Sequence, residues 1–181
     1  MATGSVLVLT TQKQSGLAVV RSLGQRGLSV VAGGPTYPTL GMLSRFSDGR
    51  YVHPDPQTDR DAFIDHLLSY LDDEDHEFVF GPTDWMTYLL SKHGDEIEQT
   101  GTTVAVEDWD TFEEVFDKAR LFERLSETDV PCPETHAPAT LDEVEKLAPD
   151  LPYPVVVKPR SKTCWDDRGQ CQTLLVEDRN Y

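Results

Sequence analysis

The feature that most narrows the folds open to this chain is a continuous apolar run, Ser5-Val6-Leu7-Val8-Leu9-Thr10. A strand with one solvated face alternates apolar and polar residues, whereas an unbroken run belongs in a parallel sheet covered on both faces. Leu17, Val20, Leu23 and Leu28, with Ala18 and Val19, follow at helical spacing from about Ser15-Gly16, and Gly24 or Gly27 can close that helix. Leu28-Ser29-Val30-Val31-Ala32-Gly33-Gly34 then supplies a second strand. A strand-helix-strand unit of this kind predicts an α/β chain with a Rossmann-like parallel sheet.

Pro35 to Gly49 reads as a loop with one helical turn, and Arg50-Tyr51-Val52 as an edge strand. Thr58 or Asp59 caps a helix carrying Phe63, Ile64, Leu67, Leu68 and Leu71. Glu77-Phe78-Val79-Phe80 and Thr102-Thr103-Val104-Ala105-Val106 are two more strands, and the turn Gly81-Pro82-Thr83-Asp84 starts a helix through Trp85, Tyr88, Leu89 and Leu90. Open α/β sheets bind ligands beyond the carboxyl ends of their strands. Thr11, Ser15 and Gly16 after the first strand, and Thr83 and Asp84 after the fourth, are therefore candidates to bind substrate, with ordinary helix capping as the competing role. The first turn holds only Gly16 where a dinucleotide fold has several glycines, which argues against an NAD or FAD oxidoreductase. A small anion such as a carboxylate suits a helix N-terminus there.

Asp110 to Glu113 resembles a capping box, and Phe112, Val115 and Phe116 mark an amphipathic helix. Lys118, Leu121, Phe122 and Leu125 share helical spacing, so Lys118 falls on an apolar face, where a lysine either snorkels to water or meets an anion. A connector with Pro131, Pro133 and Pro138 leads to a second capping box, Thr140-Leu141-Asp142-Glu143, on a helix that runs to about Ala148 before Pro149. Val155-Val156-Val157 is a short strand ending in Lys158-Pro159-Arg160. Pro159 holds Lys158 in extended geometry and so aims its side chain, which is either a solvated edge charge or a placed cation. Ser161 to Gly169 reads as a hairpin loop and Gln170 to Val176 as a returning strand.

Charge excludes some partners. The formal net charge is -16, from 32 acidic and 16 basic residues. Such a surface repels phosphate backbones, so nucleic acid is not expected. Dispersed carboxylates with few lysines point to a protein that works in concentrated salt, the expectation being a halophilic source. Cys132, Cys164 and Cys171 are odd in number, and neither they nor His53, His66, His76, His93 and His136 show ligand spacing, so no disulfide framework and no metal site is expected. Without a bilayer-length apolar stretch or a leader-like start, no membrane partner is expected and the cytoplasm is the expected location.

Taken in order, these elements resemble the front half of an ATP-grasp ligase. Asp117-Lys118-Ala119-Arg120-Leu121 is similar to the family's helix start, and the proline-broken connector, the capped helix and Pro154-Val155-Val156-Val157-Lys158-Pro159 follow as they do there. The similarity is greatest to carboxylate-amine ligases, including the carbamoyl phosphate synthetase-like group. The resemblance implies a Rossmann-like pre-ATP-grasp domain over residues 1–108, which helps to hold substrate, and a partial α+β ATP-grasp lobe over residues 109–181. It implies that Lys118 and Lys158 contact the phosphates of ATP. ATP, a small carboxylate and an amine are the implied small-molecule partners, while no catalytic residue is assigned. Two departures accompany it. Ser161 to Gly169 has one glycine and two acids where the family carries a glycine- and serine-rich phosphate cover. The family's magnesium ligands lie in a further subdomain, so Mg²⁺ is expected only in an intact ligase and this chain alone is expected to be inactive. Open strand edges would favour a homodimer through the C-terminal hairpin. The competing reading is a non-catalytic Rossmann-like module that binds a small ligand or a partner.

Overall fold

The computed structural model describes residues 4–160 and 173–178. The chain forms two compact units, Met1–Phe112 and Glu113–Tyr181.

The first unit is a five-stranded parallel sheet in the order β3-β2-β1-β4-β5, built from β1 (Ser5–Val8), β2 (Ser29–Gly34), β3 (Gly49–Val52), β4 (Phe78–Phe80) and β5 (Thr103–Val104). Its helices are α1 (Gln14–Gln25), α2 (Arg60–Asp73), α3 (Asp84–Lys92) and α4 (Gly94–Glu98). The unbroken apolar run is explained by the pleat. Leu7 and Leu9 join a core with Phe63, Leu67, Leu89 and Ile97, while Val6 and Val8 join a separate one with Val20, Val30 and Met42. One strand thus feeds two cores, with α1 contributing to one and α2, α3 and α4 to the other.

Local signals fix most ends. Gly27, at φ +84°, lets the chain leave α1, a conformation costly for a residue with Cβ. Of the two expected caps for α2, Asp59 serves, accepting from the Ala62 N–H at 3.0 Å. Among the described residues no helix is long and apolar enough to cross a membrane.

Helix α5 (Trp109–Phe116) begins earlier than the expected capping box. Asp108 accepts from the Thr111 N–H at 3.0 Å and its hydroxyl at 3.1 Å, so the acid two residues before Asp110 starts the helix.

The second unit contains α6 (Lys118–Ser126), α7 (Leu141–Leu147), a 3-10 turn (Ala148–Asp150) and an antiparallel pair, β6 (Val155–Val157) with β7 (Leu174–Val176). Thr140 caps α7 through the Glu143 N–H, and Glu143 reaches back to the Ala139 N–H at 2.7 Å. The expected hairpin loop Ser161 to Gly169 and the start of the returning strand, Gln170 to Gln172, lie outside the described residues.

Candidate functional site

In strand order β2-β1-β4, β1 is where the chain's winding reverses, and the crevice beyond its carboxyl end is the switch point at which such sheets take ligands. Both predicted turns are there. The Thr10–Lys13 turn follows β1, and Gly81–Thr83 follows the adjacent β4.

The candidates have different fates at this edge. Thr11 is fully buried; its hydroxyl donates to the Gly33 carbonyl at 2.8 Å and pairs with the Thr39 hydroxyl at 2.7 Å, so the side chain ties β1 to the β2 connector. Gly16 packs α1 onto that turn, since a Cβ would meet the Thr10 carbonyl oxygen at 2.5 Å. Ser15 is exposed in the first turn of α1. Lys13 places no side-chain cap on α1, whereas α2, α3, α6 and α7 each have one. Thr83 caps α3 by accepting from the Met86 N–H, and Asp84 is exposed in its first turn.

Four buried side-chain atoms without a hydrogen-bond partner among the described residues share this edge: Thr10 Oγ1, Gln12 Oε1, His53 Nε2 and Trp85 Nε1. Orphaned buried polar groups are rare and costly. Thr10 also adopts φ +58°, a left-handed conformation that is strained for a β-branched residue. His53 donates from Nδ1 to the Pro54 carbonyl at 2.8 Å, which fixes the tautomer and leaves Nε2 an acceptor. Burial lowers its pKa and outweighs the Pro54 hydrogen bond, so the ring is held neutral. Thr10 and Gln12 lie in the turn that the sequence offered as lining a site, whereas His53 and Trp85 were not candidates. The strain at Thr10 has no residue-type signature, since glycine is what such a turn normally shows.

The second unit brings the two lysines together. Lys118 is the first residue of α6, because Asp117 interrupts the helical pattern and caps the new helix through the Ala119 and Arg120 N–H groups at 2.9 and 3.3 Å. Lys118, Leu121, Phe122 and Leu125 are half-buried, while Arg120, Glu123 and Arg124 are exposed. Arg160 Nε donates to both Asp117 carboxylate oxygens at 2.9 and 2.7 Å, and the Lys118 N–H donates to the Arg160 carbonyl at 3.0 Å. Burial raises the Asp117 pKa, but the backbone donors and the Arg160 guanidinium outweigh it and hold the carboxyl below the usual range. Lys158 precedes Arg160 by two residues of about 3.3 Å each, which puts the Lys158 and Lys118 backbones within about 10 Å. Neither ammonium has an ion-pair partner among the described residues. Two flexible point charges so placed can meet on one polyanion. The tether went unseen in the sequence, although a basic residue two beyond Lys158 was its available signal.

No family model and no curated protein matches this chain. Solved structures do. An L-amino acid ligase from Bacillus licheniformis matches over 98% of this chain and 40% of its own at TM-score 0.72 and 16% identity. Over that two-fifths the chain shares the ligase's fold. The biotin carboxylase domain of the Hydrogenobacter thermophilus 2-oxoglutarate carboxylase, solved with MgADP, ADP and bicarbonate, matches over 98% and 38% at 0.67 and 18%. N5-carboxyaminoimidazole ribonucleotide synthetase from Thermotoga maritima matches over 98% and 42% at 0.64 and 17%. The chain spans about two-fifths of the length of each of these structures. At such identities the likeness is one of fold, and it agrees with the α/β class and parallel sheet expected from the sequence.

Proposed function

We propose that this chain is the amino-terminal portion of an ATP-dependent carboxylate-amine ligase of the ATP-grasp superfamily, with Lys118 and Lys158 holding the phosphates of ATP. The observation that carries the reading is the Arg160 tether, which fixes the strand end bearing Lys158 to the helix start bearing Lys118. Phosphoryl transfer depends on positioned cations more than on covalent chemistry by the protein. In the proposed reaction the γ-phosphoryl of ATP moves to a carboxylate, and an amine then displaces phosphate from the acyl phosphate. Residues 1–108 hold the carboxylate substrate at the carboxyl edge of the sheet, where Ser15, Gly16, Thr83 and Asp84 sit around the first turns of α1 and α3. Residues 109–181 form the start of the nucleotide-binding lobe.

Mg²⁺ is assigned to the intact ligase, and no step here runs through it. The chain alone binds nucleotide without turning it over. Equilibrium binding of ATP, with ADP release measured alongside, tests this: Lys118→Ala and Lys158→Ala each weaken ATP binding and no preparation releases ADP on adding carboxylate and amine. Unchanged affinity in both variants would remove the lysines from the site, and the orphaned polar edge of the first unit would then favour the non-catalytic small-ligand module.

A further inference from the structure

Charge is segregated along this chain. Residues 1–50 carry Lys13, Arg21, Arg26, Arg45 and Arg50 against a single carboxylate, Asp48, whereas residues 51–181 carry 11 basic and 31 acidic side chains. Asp48 is engaged in the fold, accepting from the Val30 N–H at 3.0 Å. On the basic side, α1 and the connector between β2 and β3 form a groove of about 470 Å³ lined by Arg21, Gln25, Leu43, Ser44, Arg45 and Phe46. The Arg45 guanidinium lies over the Phe46 ring, 4.7 Å from its centre. Neither Arg21 nor Arg45 has an ion-pair partner among the described residues, in a chain with two carboxylates for every basic side chain.

Apolar exposure coincides with this charge. Of the large hydrophobic side chains that the first unit exposes, Tyr37 (61%), Leu40 (47%) and Leu43 (68%) belong to the connector that bounds the groove, and Val52 and Phe78 lie elsewhere. Arginines beside an aromatic ring, with no carboxylate among the lining residues, match an interface centre, where aromatic and guanidinium anchors are enriched. Nucleic acid would need the cations but not the exposed leucines, and it would meet the repulsion of a chain at -16. The complementary charge is on the same molecule: Asp72, Asp73, Glu74 and Asp75, all exposed, at the end of α2.

We propose that the groove docks the Asp72–Asp75 segment of a second copy of the chain. Two different patches meet in such a contact, so copies either pair reciprocally about a two-fold axis or join head to tail, and either assembly forms as concentration rises. Net repulsion between copies does not forbid it, because at about 0.15 M salt charges act over about 8 Å and the complementary groups in contact dominate.

Sedimentation velocity of the full chain over a wide concentration range tests the contact. Wild type shows an average sedimentation coefficient that climbs with concentration. Arg21→Glu with Arg45→Glu in one variant, and Asp72→Lys with Asp73→Lys in another, each weaken association about tenfold or more. Mixing the two variants restores one contact per pair, since the intact Arg21–Arg45 groove of the second variant then finds the intact Asp72–Asp75 segment of the first. That rescue requires both variants to be folded, so it separates lost contact from lost structure. A wild type that stays monomeric, variants that associate as wild type does, or a mixture no stronger than its components would each overturn the proposal.

Discussion

Asp117 links the fold of the second unit to the chemistry proposed for it, and replacing it separates three roles. Its carboxylate caps α6, receives Arg160, and so fixes the backbone from which Lys118 extends. Losing an N-cap to alanine costs about 1 kcal/mol. The Arg160 contact adds at most about 1 kcal/mol, because Arg160 is 60% exposed and water screens the pair. Asp117→Ala should therefore weaken the start of α6 by about 1–2 kcal/mol, a factor of about 5 to 30 in local opening. Asparagine caps as well as aspartate does, so Asp117→Asn removes only the charge and should cost about 1 kcal/mol or less.

Amide hydrogen exchange reads this residue by residue. In Asp117→Ala the Lys118, Ala119 and Arg120 amides lose protection together, because the first donates to Arg160 and the other two to the cap. Asp117→Asn keeps the latter two nearly as in wild type. The carboxyl is held below its ordinary range in the folded chain, so its contribution is complete above a pH of about 4 and is lost as pH falls through the lowered value. ATP affinity should follow the same order, wild type above asparagine above alanine. Equal protection of these amides in all three proteins, or an alanine variant with wild-type ATP affinity, would refute the claim that Asp117 positions Lys118.

Two further outcomes concern the first unit. His53 and His76 are both held neutral by burial, so the unfolded chain binds protons first as pH drops. Stability is complete above a pH of about 6.5 and falls below it; thermal melting at acidic and neutral pH should show that slope, and His53→Gln should flatten it. Gly16→Ala should destabilise by about 1–3 kcal/mol, since the added methyl meets Thr10 and Thr11 backbone that cannot yield; a melting temperature at or above wild type would mean that α1 is free to shift.

The sheet was legible because its strands are short and their residue types unambiguous. Val6 to Leu9 pointed to burial on both faces, and the split of alternate residues between two cores is what that pattern means physically. What escaped were pairings between residues far apart in sequence. The Tyr51 hydroxyl bonds His66 Nδ1 at 2.8 Å, Tyr70 stacks on the Tyr51 ring at 4.1 Å, and His76 reaches the Ser5 hydroxyl at 2.9 Å. Histidines without metal spacing gave no hint of this, since ring stacking and single hydrogen bonds impose no spacing rule.

The helix break at Asp117 shows what hydrophobic spacing leaves out at Lys118. Hydrophobic spacing alone puts Lys118 on the face of Leu121, Phe122 and Leu125, and on that basis it is merely a lysine on an apolar face. The period reports which side is buried and is blind to competition for backbone N–H groups, which is how an aspartate ends one helix and begins another. Once Asp117 is a cap, Lys118 becomes a first-turn residue whose backbone is pinned to Arg160 while its side chain stays unpaired among the described residues. Asp117, the nearest carboxylate in sequence, is fully engaged by Arg160 and the cap amides, and so it does not neutralise Lys118. An incoming anion then competes with water for the Lys118 ammonium and not with Asp117. If the tether is what keeps that competition favourable, Arg160→Ala should weaken ATP binding even though Arg160 itself need never touch nucleotide.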